Sequence, residues 1–206
     1  MAKLYFYYAS MNAGKSTNLL QADFNYRERG MATMLWTAAI DARGPGAPDG
    51  GPAITSRIGL AAPANGFTED TDLFAAFATQ HGEAPLSCVL VDEAQFLSLA
   101  QVWQLARIAD DAQVPVLCYG LRTDFRGHLF AGSAALLGLA DELIELKAVC
   151  HCGAKATMNL RIEGSGEAVR HGAQTEIGGN DRYLALCRRH FGEALDPHAA
   201  HPEHRA

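Results

Sequence analysis

The stretch that most constrains this chain is Ala9-Ser10-Met11-Asn12-Ala13-Gly14-Lys15-Ser16-Thr17. It follows the aromatic and apolar run Leu4-Tyr5-Phe6-Tyr7-Tyr8 and leads into Leu19, Leu20, Phe24 and Tyr26 at helical spacing, with Gly30 to stop the helix. Strand, tight loop and helix in that order make a phosphate cradle. Backbone N–H groups wrap the phosphates, the lysine neutralises their charge and the hydroxyl binds Mg²⁺. The helix N-terminus adds its dipole and its unpaired N–H groups. Ala9, Ser10, Met11, Asn12, Ala13, Gly14, Lys15 and Ser16 are therefore the expected ATP-binding residues. One departure stands out, for Ala9 occupies the place of the motif's leading glycine.

A second element reinforces the first. Cys88-Val89-Leu90-Val91 is a short, wholly apolar run, as a strand buried on both faces requires, and it ends in Asp92-Glu93-Ala94-Gln95-Phe96. Two carboxylates at such a strand end can divide the work of phosphoryl transfer. Asp92 is expected to hold Mg²⁺ through water, and Glu93 to act as general base. Ala94 and Gln95 are counted with Asp92 and Glu93 among the ATP-binding residues. The remaining catalysis is positioning and charge neutralisation by Lys15, Ser16 and the metal.

Around these motifs the chain alternates strand and helix. Strands are expected over Leu4–Ala9, Ala32–Ile40, Ser87–Val91, Val114–Tyr119 and Glu142–Val149. Helices are expected over Gly14–Arg29, Asp70–His81 (capped near Thr71), Leu97–Ala112 and Leu129–Leu139. That order implies an α/β fold, a largely parallel sheet with helices on both faces. Asp41–Pro52, rich in Gly and Pro, reads as an irregular loop. With 206 residues there is room for one α/β core and a small appended module. A net charge of −6 disfavours nucleic acid and anionic membrane as partners. No apolar run approaches the roughly 20 residues that span a bilayer, and the N-terminus enters the first strand without a cleavage signal, so a cytoplasmic protein is expected.

The five cysteines divide into two groups. Cys88 and Cys118 lie in apolar runs, where a thiol behaves as a small hydrophobe. Cys150, Cys152 and Cys187, with His190, form two ligand pairs flanking a glycine-rich excursion, the pattern of a closed, structural Zn²⁺ site. His151 is an alternative ligand, because Cys-x-Cys is tighter than the usual spacing. The segment has too little apolar surface to hold itself together, so a staple is needed. Between the pairs, Gly172 to Tyr183 reads either as a lid whose backbone reads a planar acceptor or as an ordinary surface turn. The tail from Asp196, with His198, His201 and His204, reads as a solvated end, the alternative being a metal role for the three histidines. The expected division is a nucleotide-binding domain over 1–147, a zinc-held module over 148–193 and a disordered tail over 194–206.

Taken together, these motifs resemble those of the type II thymidine kinases over nearly the whole chain. The likeness rests on Met11-Asn12-Ala13-Gly14-Lys15-Ser16-Thr17, Asp92-Glu93-Ala94-Gln95-Phe96, Tyr119-Gly120-Leu121-Arg122-Thr123-Asp124-Phe125-Arg126-Gly127, the Cys/His pairs, and Ile177-Gly178-Gly179-Asn180-Asp181-Arg182-Tyr183. The resemblance implies a RecA-like P-loop domain that phosphorylates the thymidine 5′-hydroxyl with ATP, in nucleoside salvage for DNA synthesis. It also implies a zinc-held lasso over the nucleoside and a homotetramer. It places Glu93 as the base toward that hydroxyl, Phe125 against the thymine ring, and Gln174, Thr175, Glu176, Ile177 and Gly178 where lasso backbone reads the base. Tyr183 falls at a substrate contact, and Asp41 and Arg43 in a segment that approaches ATP. The family varies at the position of Ala9, and some bacterial members share the Cys-x-Cys spacing. Two other readings stay open. A nucleic-acid-dependent ATPase with a zinc ribbon would also carry Asp-Glu-Ala-Gln, although this chain is too short for a second motor domain. A zinc-bearing ATP sensor without turnover would fit the variant loop at Ala9.

Overall fold

In a computed structural model, residues 1–39, 51–174 and 182–196 are described. In chain order they form β1 (Leu4–Ala9), α1 (Lys15–Glu28), β2 (Ala32–Ala38), β3 (Ala53–Thr55), β4 (Ala61–Pro63), β5 (Asn65–Phe67), α2 (Leu73–Glu83) and β6 (Leu86–Val91). A 3-10 turn over Ala94–Phe96 leads to α3 (Leu99–Asp111), β7 (Val116–Leu121), α4 (Ala131–Leu139) and β8 (Glu142–Glu145). Then come β9 (Ala148–Val149), β10 (Lys155–Ala156), β11 (Met158–Arg161), β12 (Tyr183–Leu186) and α5 (Arg188–Leu195).

Six strands make one sheet in the order β5-β2-β6-β7-β1-β8, and each pairing in it is parallel. Strict alternation along the strands feeds two cores. Phe6, Val89, Val91, Val116 and Cys118 face α2, α3 and α4 and meet Phe77, Leu105, Ile108 and Leu136. Leu90, Leu117 and Tyr119 face the other way, onto Leu19 and Leu20 of α1 and Ile54 of β3. On that side Tyr7 and Tyr119, cross-strand partners, stack with centroids 4.6 Å apart. Both faces are thus covered, which is why the central strands read as unbroken apolar runs. Because all six strands point the same way, the chain segments leaving β1, β6 and β7 collect along one edge, where open α/β sheets bind ligands.

Element ends follow the caps rather than the hydrophobic period. The Asp72 side chain accepts from the Ala75 N–H and starts α2 one residue beyond the expected Thr71 cap. Ser98 and Gln101 form a reciprocal capping box, so α3 begins at Leu99 and not at Leu97. Other differences are larger. The expected strand Glu142–Val149 breaks after Glu145, and its second half, β9, pairs with β10 outside the main sheet. The segment Ala53–Phe67, which carries no periodicity, supplies the β3–β4 hairpin and the edge strand β5. These strands are three residues each, too short for a pattern to show. Beyond β8, a third small core of Cys150, Ala156, Leu160, Leu186 and Phe191 gathers β10, β11, β12 and α5. Ile40 and positions 41–50, expected to end β2 and to form the Gly/Pro loop, lie outside the described residues. Among the described residues no helix is long and apolar enough to cross a membrane.

The turn after β6 is wedged against α4. A Cβ on Gly132 would lie 2.6 Å from the Ala94 carbonyl oxygen, 2.7 Å from that of Leu97 and 2.9 Å from that of Gln95. Three backbone oxygens cannot step aside as a flexible side chain can. Alanine gains about 1 kcal/mol of helix propensity, but overpacking of this kind costs about 1–3 kcal/mol. We expect Gly132→Ala to lower stability in urea unfolding, and a more stable variant would refute the close packing of turn and helix.

Candidate active site

The loop leaving β1 turns sharply twice, with Asn12 at φ 65° and Gly14 at φ 79°, and delivers the chain into α1. Lys15 is buried at the helix start, and its Nζ donates to the Ser10 carbonyl at 3.1 Å. The ammonium is thereby held over the loop's concave side, where anionic oxygens would replace that carbonyl. Ser16 Oγ donates to Asp92 Oδ2 at 2.8 Å, and Asp92 Oδ1 accepts the Glu93 N–H at 3.0 Å. A buried carboxylate at the end of β6 and a hydroxyl at the start of α1 thus share one point. Two protein oxygens so placed could hold a divalent cation, with water and the phosphates of a nucleoside triphosphate as its other ligands.

Glu93 has φ 53°, a left-handed backbone that costs a non-glycine residue about 1 kcal/mol or more. The neighbouring Gln95 holds it there. Gln95 Oε1 accepts the Leu121 N–H at 3.0 Å, which orients the amide nitrogen toward the carboxylate, and Gln95 Nε2 donates to Glu93 Oε2. Gly120 leaves room for this amide, since a Cβ there would lie 2.9 Å from Gln95 Oε1.

Two cavities meet at this turn. The larger, about 460 Å³, is lined by Asn12, Gly14, Lys15, Ser16, Thr17, Asp92 and Glu93, and on its far side by Thr55, Ser56, Arg57 and Ile58 of the β3–β4 hairpin. A narrower slot of about 50 Å³ is lined by Gln95, Phe96, Thr123, Asp124, Phe125, Phe130, Asn159, Gln174 and Tyr183. Met11 and Leu121 line both. Glu93 therefore lines the cavity fit for phosphates, and its carboxylate is bonded by Gln95, which lines the aromatic slot fit for a planar group. A carboxylate so placed can take a proton from a hydroxyl that attacks a phosphoryl group.

The expected residues distribute as follows. Met11, Asn12, Gly14, Lys15, Ser16, Asp92 and Glu93 line the larger cavity, while Phe125, Gln174 and Tyr183 line the slot. Ala9 and Ser10 are buried where β1 ends, and Ala13 does not line the cavity. Ala94 is buried and lines neither space, and Gln95, expected with the nucleotide, lines the slot instead. The turn carries the Gln95 side chain toward β7, away from the phosphate loop. Asp41, Arg43, Thr175, Glu176, Ile177 and Gly178, and the three tail histidines, lie outside the described residues. Arg57 and Asn159 line the two cavities without any motif that marks them, and Asp124, within the Tyr119–Gly127 motif, lines the slot although the motif gives it no role of its own. Asn159 Oδ1 accepts the Met11 N–H at 2.6 Å and its Nδ2 donates to the Thr123 carbonyl at 3.2 Å. No local spacing announces a partnership across more than a hundred residues of chain.

Asp124 anchors the wall of the slot. Its carboxylate accepts the N–H groups of Arg126 at 2.8 Å and His128 at 2.9 Å, the Gln174 amide at 3.2 Å and the Arg126 guanidinium at 3.2 Å. Burial by itself would raise its pKa, but these four donors outweigh it and hold the group below its ordinary 3.8.

The Cys/His cluster forms a separate centre. Ligand atoms of Cys150, Cys152, Cys187 and His190 lie within 4.8 Å of one another. His190 Nδ1 is 3.4 Å from the sulfurs of both Cys150 and Cys187, and Cys152 Sγ is 4.0 Å from Cys187 Sγ. Zn²⁺ bonds of ordinary length in a tetrahedron imply edges of about 3.5–3.8 Å, so the residues fit that ion. Cys187 precedes α5 and His190 lies in its first turn, which puts the pair on one side of the helix start. The Ala154 N–H favours the Cys152 thiolate, yet burial and the sulfurs of Cys150 and Cys187 hold its pKa above the ordinary value. A divalent cation relieves that crowding of negative sulfur. His151 Nδ1 is 3.8 Å from Cys150 Sγ and its ring packs on His190, beside the cluster.

Comparison with known proteins agrees over nearly the full length. The family model described as Thymidine kinase matches residues 2–191. A protein of Novosphingobium aromaticivorans named Thymidine kinase is 75% identical over 195 residues, covering 95% of this chain and 99% of its own. Proteins of the same name from Zymomonas mobilis and Vibrio cholerae are 63% and 56% identical over 196 residues, each alignment covering 95% of this chain and 99% of the relative.

Two predictions test the site's construction. The lowered Asp124 pKa stabilises the fold fully above 3.8, and that contribution is lost as pH falls through the lower folded value. Wild type should therefore lose thermal stability on acidification from about pH 5 more steeply than Asp124→Asn, and parallel pH profiles would remove this linkage. Cys187→Ser should hold markedly less zinc than wild type by metal analysis. A full equivalent retained in that variant would move the fourth ligand to another residue, with His151 the nearest.

Proposed function

The chain belongs to the thymidine kinase family, and on that premise we propose that it transfers the γ-phosphoryl group of ATP to the 5′-hydroxyl of thymidine, yielding thymidine monophosphate and ADP. The observation that carries this reading is that Glu93 lines the phosphate-loop cavity while its bonded neighbour Gln95 lines the adjoining aromatic slot. In this reading Glu93 accepts the 5′-hydroxyl proton as that oxygen bonds to the γ-phosphorus, and the bond from phosphorus to the β–γ bridging oxygen breaks. Gln95 positions Glu93. Lys15 exchanges the Ser10 carbonyl for phosphate oxygens, and the N–H groups between Met11 and Ser16 take up the rest of the charge. Mg²⁺, held at Ser16 and Asp92, would neutralise charge on the β and γ oxygens. Asp41 and Arg43 complete the donor side.

On the acceptor side, the buried ring of Phe125 offers a flat apolar face to thymine, and Tyr183 and Gln174 close the slot. Backbone of Gln174 to Gly178 reads the base edge. Zn²⁺ at Cys150, Cys152, Cys187 and His190 is structural, because four protein ligands leave no open position. We assign residues 1–147 to the kinase domain and 148–193 to the zinc-held lasso, to which the end of α5 at Ala194 and Leu195 also belongs, with the tail following. The family likeness also suggests a cytoplasmic homotetramer, which light scattering of the purified protein would read.

The deciding experiment is a coupled kinase assay of the purified protein across the natural deoxynucleosides. Thymidine should be the preferred acceptor. Hydrolysis of ATP stimulated by single-stranded nucleic acid, without nucleoside phosphorylation, would instead favour a motor ATPase. Within the kinase reading, Glu93→Gln should keep ATP binding and lower turnover by about 10²-fold or more, as loss of a general base does. A turnover near wild type would take the base role from Glu93.

A further inference from the structure

Arg161 ends β11 and pairs in register with Tyr183 of β12, far from the phosphate loop in sequence and deep in the protein at 5% exposure. Burying a guanidinium is costly unless its surroundings compensate. Here they do so in a particular way. The guanidinium carbon sits 3.8 Å from the centroid of the Phe125 ring. Nη1 donates to the Ala173 carbonyl at 3.1 Å and Nη2 to the His171 carbonyl at 3.4 Å. Gly172 lies between those two carbonyls at φ 135°, and a Cβ on it would come within 2.6 Å of Nη2. The segment 171–173 is therefore shaped around the guanidinium, with glycine as the notch.

Arg161 thus touches both parts of the acceptor slot's wall, the aromatic ring from the segment after β7 and the strand of backbone that leads into Gln174. A second tie, from Gln174 to Asp124, runs parallel to it. The Arg126 guanidinium carbon also lies 5.3 Å from this centroid, so Arg161 is the closer of two cations on the ring. Arg161 draws on the ring's π electrons and fixes its tilt. Only Arg can lie flat on the ring and fork to two carbonyls at once, which a lysine ammonium cannot.

We propose that Arg161 is a positioning residue for the nucleoside acceptor, setting thymidine affinity by holding the Phe125 ring and the 171–173 backbone in one arrangement. This inference rests on the thymidine kinase reading. It adds a determinant of acceptor binding that lies outside the slot's lining and does not touch the phosphate cavity.

The test is steady-state kinetics of Arg161→Lys, Arg161→Met and Gly172→Ala beside wild type, with zinc content and thermal midpoint measured on the same preparations. Loss of a desolvated cation–π contact and its fork should raise KM for thymidine by about tenfold. KM for ATP and kcat should stay within about twofold to threefold, because the phosphate loop and Glu93 are untouched. Arg161→Lys should recover little of the lost affinity. Gly172→Ala leaves Arg161 in place but pushes on Nη2, and should shift KM for thymidine in the same direction. It keeps the test open where an Arg161 variant does not fold. Overturning results are a wild-type KM for thymidine in Arg161→Lys or Gly172→Ala, or a fall in kcat that tracks zinc loss with thymidine KM unchanged. Failure of wild type to phosphorylate any nucleoside would instead refute the kinase reading itself, so the two outcomes are distinct.

Discussion

The hydrogen bond from Ser16 to Asp92 joins two loops that strand pairing alone leaves apart. β1, which launches the phosphate loop, and β6, which carries the carboxylates, are not neighbours, because β7 lies between them. The parallel sheet brings their carboxyl ends to the same edge, but the edge is open and the loops must be stitched across it. Ser16 and Asp92 do this directly, and Gln95 does it through the Leu121 N–H at the end of the intervening strand. The Ser16–Asp92 bond also sets the spacing of hydroxyl and carboxylate, and Lys15, next in the chain to Ser16, starts the same helix.

That stitching has a steric counterpart. The turn carrying Glu93 in a left-handed conformation is pressed between β7 and α4, and it fits because Gly120 and Gly132 present no side chains to it. Such strain persists only where the surroundings over-determine it. Here the over-determination consists of the Gln95 amide on one side and the start of α4 on the other. A carboxylate held this way would lose little freedom when a ligand arrives, which is the physical content of pre-organisation.

The Cys/His module is held to the main domain by polar contacts, in addition to its own small core. Asn159 binds the Met11 N–H, Arg161 lies on Phe125, and the Ser10 hydroxyl donates to the Ala156 carbonyl at 3.4 Å. Five buried apolar residues make a small core for such a module, and a metal held by Cys150, Cys152, Cys187 and His190 would add to what that core supplies. Every one of those polar contacts ends on the acceptor slot or the phosphate loop. Order in the module and geometry at the slot are in this way the same property.

Local signals in the chain determine a good deal. The Gly-Lys-Ser turn at a helix start, the apolar run into Asp92-Glu93 and the Cys/His pairs each act over a few residues, so their chemistry is legible in the sequence alone. The α/β class follows for the same reason, since unbroken apolar strands alternating with helices allow little else. Strand endings and caps are less legible, because Asp72 and Ser98 decide them by single hydrogen bonds that periodicity does not record. What only the tertiary structure decided were the relations between distant segments. The three-residue strands β3 to β5 have no pattern of their own and exist because β2 offers an edge and α1 a surface. The same holds for Asn159 at Met11, Arg161 at Phe125, and the turn of Gln95 into the slot. Each is a contact across tens to more than a hundred residues, and packing, not sequence spacing, brings its partners together.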